Sequence, residues 1–132
     1  MEGGQTNEFR PLILVAEDDD SNFKLIKAII GKKCDIQWAK NGEEIVALFK
    51  EYGKEAKAIL MDIKMPVMNG LDATKIIREE NKEIPIIMQT AYAFNSDKEN
   101  AMNAGASEVL VKPITLSILR GTLTKYFPEL VW

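Results

Sequence analysis

Five short apolar runs, each followed by a segment with helical spacing, constrain this chain more than any other feature. Pro11–Ala16 is too short and too uniformly apolar for a surface helix, so it reads as a buried strand. From Ser21, Asn22, Leu25, Ile26, Ile29 and Ile30 recur at helical spacing, and Gly31 stops the run as a C-cap. Cys34–Ala39 gives a second strand. Asn41 with Glu44 three residues on opens a helix whose inner face is Ile45, Leu48 and Phe49. Ala58–Met61 is a third strand ending at Asp62, followed by a loop with turn signals at Pro66 and Asn69-Gly70. The next helix turns Ala73, Ile76 and Ile77 inward. Ile84–Met88 forms a fourth strand, and Ser96-Asp97-Lys98-Glu99 reads as a capping box for a short helix stopping near Gly105. Val109–Val111 is a fifth strand, and Leu116, Leu119, Leu123 and Phe127 stripe a last helix.

Strands alternating with helices favour a parallel sheet with helices on both faces. The 132 residues suit one domain, and an apolar fraction of 46% supplies its core without a disulfide or metal staple.

Ligands of open parallel sheets bind outside the carboxyl ends of the strands, where strand order reverses. The first strand ends in Glu17-Asp18, the third in Asp62, the fourth in Gln89-Thr90 and the fifth in Lys112. A strand order of 2-1-3-4-5 brings these ends into one shallow pocket of three carboxylates, a hydroxyl and an ammonium. Clustered carboxylates raise one another's pKa unless a cation sits among them. A hard divalent ion removes that cost, and few carboxylates with room for water and phosphate suit Mg²⁺ better than Ca²⁺. Asp62 is then placed as a nucleophile toward phosphorus, with Lys112 and the Thr90 hydroxyl facing the transferring group.

Structural explanations compete at each position. Asp19 and Asp20 precede a helix, where acidic groups cap and complement its dipole. Helix capping also accounts for Glu17 and Asp18 taken alone, and Lys112 alone is an ordinary strand-end charge. Their joint occurrence at four strand ends favours the site.

Net charge is −3, from 17 basic and 20 acidic residues, which gives no footprint for nucleic acid or an anionic membrane. The lone Cys34 suits a reducing, cytoplasmic compartment, and no apolar run reaches the length of a membrane span. Without histidine, the chain has no imidazole for base, phosphohistidine or metal chemistry of its own. Residues 1–10, polar and Gly-rich, read as a flexible lead-in or an added linker, and residues 11–132 as the domain.

The motifs ILVAEDDDSN, ILMDIKMPVMNGLDA, IIMQTAYA and GASEVLVKPI, in this order, resemble the receiver domain of two-component response regulators over residues 11 to 127. That resemblance implies a flavodoxin-like (βα)5 fold and a phosphoryl group accepted by Asp62 from a phosphohistidine. It implies Mg²⁺ held by Glu17, Asp18, Asp62 and the main-chain carbonyl of Lys64, with Thr90 and Lys112 on the phosphoryl group. It also implies a cis Lys112-Pro113 peptide. Family members catalyse their own phosphorylation and its hydrolysis, so whether the chain counts as an enzyme stays open. Val109 stands where many receivers carry an aromatic, which excludes an aromatic rotamer switch there. Lys64 and Tyr92 flank the route of hydrolytic water in the family, and their bulk implies a slow-to-moderate loss of the phosphoryl group.

The AED ending of the first strand, Asn22, and MDIKMPVMNG resemble most the receivers of hybrid sensor histidine kinases. The expected partners are then a histidine kinase dimerisation domain or a histidine phosphotransfer domain, with the chain as the soluble part of a membrane-anchored sensor. The Gly-rich start and aromatic end favour a piece excised from such a protein over a stand-alone regulator. A degenerate receiver signalling by contact alone and a phosphohydrolase using Asp62 are weighed against this. The first lacks support because Asp18, Asp62, Thr90 and Lys112 are all present. The second usually needs an acid where Lys64 stands. Phe23 is either an exposed docking aromatic or an edge-of-core residue on Ile26 or Ile30. Ile118, off the apolar stripe, marks a partner surface or a weak homodimer, or is a solitary exposed residue.

Overall fold

In the computed structural model, which describes residues 9–91 and 95–132, the apolar runs become the strands of one sheet. The elements are β1 (Leu12–Ala16), α1 (Asp20–Ile30), β2 (Asp35–Ala39), α2 (Gly42–Tyr52), β3 (Ala56–Asp62), α3 (Gly70–Glu80), β4 (Ile86–Thr90), α4 (Asn95–Ala104), β5 (Glu108–Val111) and α5 (Leu116–Tyr126). The sheet is parallel throughout in the order β2-β1-β3-β4-β5, as the alternation and the resemblance imply. Order reverses between β1 and β3, so the carboxyl ends of those two strands lie side by side.

Alternation along each central strand divides the core into two layers. Ile13, Val15, Ala58, Leu60 and Ile87 face α1 and α5, where Ile26, Ile30, Leu119 and Leu123 cover them. Leu14, Ile59, Met61, Ile86 and Met88 face the other way, under Ile45, Phe49, Ala73 and Ile77. Both faces are covered, which is why the strand sequences read as continuous apolar runs.

Four helix starts are fixed by side chains: Asp19, Asn41, Asn69 and Thr115 accept from the main-chain N–H groups of Asn22, Glu44, Asp72 and Ile118. Glu44 reaches back past the cap to accept the N–H of Lys40 at 2.9 Å, a one-residue variant of the box expected around Asn41. The box expected at Ser96 is not one. Helix α4 already begins at Asn95, which places Ser96 inside the first turn. Gly105 does end that helix, at φ +116, and a side chain there would strike Arg78, whose Nε donates to the Gly105 carbonyl at 2.8 Å.

Two residues assigned to inner stripes face outward. Leu25 and Leu116 are about half exposed, because the inner arcs of their helices are already filled by Ile26, Ile29 and Ile30 and by Leu119, Thr122 and Leu123. Cys34, expected to open β2, lies just before it, buried, its N–H bonded to the Ile30 carbonyl at 3.0 Å. Phe9 and Arg10 join the folded body: Phe9 meets Phe127, and Arg10 donates to Asp35 Oδ1 at 2.7 Å and to the Lys32 carbonyl at 2.6 Å. Tyr92 lies outside the described residues.

Candidate functional site

Three strand ends deliver charge to one point. Glu17 follows β1 and has no exposed surface. Its N–H continues the ladder to the Ala39 carbonyl at 2.9 Å, so the strand geometry aims its side chain. Asp62 closes β3 and is buried. Lys112, directly after β5, reaches back over β4 to place Nζ 3.0 Å from Asp62 Oδ2 and 3.3 Å from Glu17 Oε1. Thr90, buried at the end of β4, accepts the Lys112 N–H on its main-chain carbonyl at 2.7 Å. The Lys112-Pro113 peptide is cis, as the resemblance implies.

Glu17, Asp18 and Asp62 each offer a carboxylate oxygen, and these atoms lie within 4.8 Å of one another. Asp18 is the solvent-exposed member of the three. Burial first, then the charge of Asp62, raise the pKa of Glu17 to about 7, against the smaller pull of Lys112 and of the Asp19 N–H. For Lys112, burial disfavours the ammonium. The hydrogen bond and charge of Asp62, followed by the charge of Glu17, outweigh that and hold its pKa above the ordinary lysine value. The Lys112 ammonium meets two of the three carboxylates, Glu17 and Asp62. An all-oxygen donor set short of positive charge fits a hard divalent ion.

The other two acids of the tract are structural. Asp19 caps α1 through its bond from the Asn22 N–H at 3.0 Å, and Asp20 pairs with Lys40 at 3.7 Å.

The loop after β3 is shaped to carry Asp62. The Gly70 N–H returns to the Ile63 carbonyl at 2.8 Å, and the Met68 N–H bonds the Pro66 carbonyl at 2.7 Å across Val67. Val67 sits at φ +68, a conformation that costs a β-branched residue on the order of 1–3 kcal/mol and is met mainly at functional sites.

Among known proteins, residues 13–124 match the family described as "Response regulator receiver domain". The chain belongs to that family. This receiver is 41% identical over 129 residues to hybrid signal transduction histidine kinase I of Dictyostelium discoideum, covering 89% of this chain and 7% of that protein. It is 40% identical over 123 residues to hybrid signal transduction histidine kinase G of the same organism, covering 88% of this chain and 4% of that protein. The receiver thus spans a small part of those relatives. Its fold is similar to the receiver domain of Ssk1 from Saccharomyces cerevisiae, solved with the histidine phosphotransfer protein Ypd1, at TM-score 0.84 and 28% identity over 96% of each chain. It is also similar to the receiver of sensor histidine kinase PA1611 from Pseudomonas aeruginosa PAO1, solved with a magnesium ion in its active site cleft. That likeness has TM-score 0.81 and 30% identity, over 89% of this chain and 98% of that one.

Two groups around the site carry roles that the sequence pattern did not assign. Gln89 is buried, and its Nε2 has no hydrogen-bond partner among the described residues. It lines a cavity of about 300 Å³ with Leu25, Ile26, Lys112 and Ile114, which gives the outward Leu25 its surroundings. Trp38 is the other: its indole N–H donates to the Glu17 carbonyl at 2.7 Å. Phe23 is the edge-of-core residue, partly buried against the layer that holds Ile26 and Ile30, and its ring also lies parallel on Trp38 with centroids 3.9 Å apart. An aromatic at the end of β2, opposite the acidic turn, was the available signal.

Proposed function

We propose that this receiver takes a phosphoryl group from a phosphohistidine onto Asp62 as one station of a phosphorelay in a hybrid sensor histidine kinase. The observation that carries the proposal is the bond from Lys112 Nζ to Asp62 Oδ2 at 3.0 Å, made between strand ends that also bring in Glu17 and Asp18. A carboxylate oxygen of Asp62 forms the new bond to phosphorus. The P–N bond breaks, and its electron pair leaves with the imidazole. Lys112 orients the Asp62 carboxylate and meets the negative charge of the phosphoryl oxygens, and the Thr90 hydroxyl donates to one of them. Glu17, Asp18, Asp62 and the Lys64 main-chain carbonyl would hold Mg²⁺, which when bound supplies positive charge beside the transferring group.

The likeness to hybrid kinases supports the phosphorelay setting, and the likeness to the Ssk1 receiver supports a four-helix phosphotransfer domain as donor. Among the described residues no helix is long and apolar enough to cross a membrane. We place the receiver in the cytoplasm, as the soluble part of a membrane-anchored kinase. The half-exposed Leu116 and Ile118 on α5 support a weak homodimer there.

Incubation with acetyl phosphate and Mg²⁺, followed by intact mass, should show one added phosphoryl group that Asp62→Asn abolishes. An unmodified wild type under these conditions would refute phosphoacceptor function. Transfer from a phosphorylated histidine phosphotransfer domain then tests the relay, and turnover of a chromogenic phosphate ester beyond one equivalent would favour a hydrolase instead.

A further inference from the structure

Glu17 belongs to the carboxylate cluster, yet both sides of its peptide are held by β2. Its N–H donates to the Ala39 carbonyl at 2.9 Å, and its carbonyl accepts the indole N–H of Trp38 at 2.7 Å. The first of these is an ordinary ladder bond. The second comes from a side chain, and that side chain is itself held by two neighbours. Phe23, in the first turn of α1, lies on the indole at 3.9 Å with the rings 1° from parallel. The Lys40 ammonium stands 4.8 Å from the ring centroid and pairs with Asp20, the first residue of α1, at 3.7 Å.

The turn Glu17-Asp18-Asp19 is therefore clamped between β2 and α1. Asp19 ties its far end by capping the helix, and its N–H bonds Glu17 Oε2 at 3.2 Å. Two carboxylates in adjacent positions repel, and a turn free to move would let them separate. From this geometry we infer that Trp38 is a positioning residue for the metal site: its indole N–H holds the Glu17 carbonyl so that the Glu17 and Asp18 carboxylates stay converged on Asp62. This role depends on those three acids holding the ion, as proposed above. Groups that orient metal ligands commonly set affinity by about ten- to a hundredfold when removed. A main-chain contact one step from the carboxylates belongs at the lower end of that range.

Trp38→Phe removes the N–H donor and keeps an aromatic for Phe23 to stack on. Phe23→Leu removes the stack and keeps the donor. Mg²⁺ binding by calorimetry should weaken about tenfold in Trp38→Phe and less in Phe23→Leu, with the metal-free thermal midpoint of Trp38→Phe little changed. Phosphorylation by acetyl phosphate should regain the wild-type limiting rate in Trp38→Phe once Mg²⁺ is raised to saturation. An affinity within about twofold of wild type, or a limiting rate that stays depressed at saturating Mg²⁺, would overturn the role. If Trp38→Phe fails to fold, the wild-type indole N–H resonance decides, assigned with Trp132→Phe. Slow solvent exchange and a shift that saturates with Mg²⁺ support the clamp, and an unmoved resonance removes it. Wild type that binds no Mg²⁺ overturns the metal reading of the site and this role with it. Wild type that binds Mg²⁺ as tightly as Trp38→Phe overturns this role alone.

Discussion

Lys112 Nζ lies 3.0 Å from Asp62 Oδ2 across 50 residues of sequence, and the same ammonium reaches Glu17 Oε1 at 3.3 Å. Two carboxylates and one ammonium in a largely buried setting cannot lose the ammonium without consequence. Removing one partner of such a group leaves uncompensated charge at a cost of about 3–5 kcal/mol. Here Glu17, with its pKa already about 7, can take up a proton and soften the loss. Lys112→Ala should therefore destabilise the metal-free protein by about 2 kcal/mol, read by urea unfolding near neutral pH. Phosphorylation of Asp62 should fall by more than about tenfold, because in the proposed transfer the ammonium also meets the phosphoryl group.

Excess negative charge makes a second outcome calculable. The carboxylates of Glu17, Asp18 and Asp62 converge within 4.8 Å, and Asp18 is the exposed one. An ion that binds the folded form alone stabilises it by about 2.7 kcal/mol at a hundred times its dissociation constant. Mg²⁺ should raise the thermal midpoint by about 10 °C. Asp18→Asn should lose most of that rise. In the absence of metal the same variant should be slightly more stable than wild type, by up to about 1 kcal/mol, because one repulsive charge has gone. Differential scanning calorimetry with and without Mg²⁺ reads both effects.

Much of this site is legible in the sequence. Strand ends were marked by apolar runs stopping at Asp62, Thr90 and Lys112, and parallel alternation dictated that such ends meet. What stayed hidden were relationships with no periodicity. Trp38 and Phe23 sit on different elements, and nothing in either segment announces a ring stack. Leu25 and Leu116 fell on the helical arc by spacing, yet the sheet face has room for only the central positions of each arc. Ser96 satisfied the box pattern, but the helix starts one residue earlier. Local pattern identifies an element and its approximate face, and tertiary packing decides the margins.

Backbone proximity at Asp62 gives a third outcome. A Cβ on Gly70 would stand 2.2 Å from the Asp62 carbonyl oxygen and 3.0 Å from Met61 Cγ. The Asp62 main chain cannot give way without moving Asp62 itself. Gly70→Ala should cost about 2 kcal/mol or more and slow phosphorylation as well. Gly121, exposed on α5, offers the contrast, since a Cβ there meets nothing within 4 Å. Gly121→Ala should stabilise by about 0.5–1 kcal/mol through helix propensity and leave phosphorylation unchanged. Paired urea curves and acetyl phosphate kinetics separate the two glycines.

Cys34 gives the pH dependence. It is 1% exposed, enclosed where α1 turns into β2, and burial pushes its thiol up to about 11, with the Arg10 cation pulling weakly the other way. An acid whose folded pKa is raised contributes stability that is complete below its unfolded pKa and lost as pH climbs through the folded one. The thiol is neutral in both states below about pH 8.5. Between about pH 9 and about pH 11 the unfolded chain ionises first, and wild type should lose about 2–3 kcal/mol from this group. Cys34→Ala lacks the thiol, so it should start less stable because of the cavity and then fall less steeply over the same interval. The stability gap between wild type and variant therefore narrows as pH rises. Urea unfolding of both proteins at several alkaline pH values measures that gap directly. A constant gap would mean that the thiolate is solvated in the folded protein, which requires solvent to reach the junction between α1 and β2.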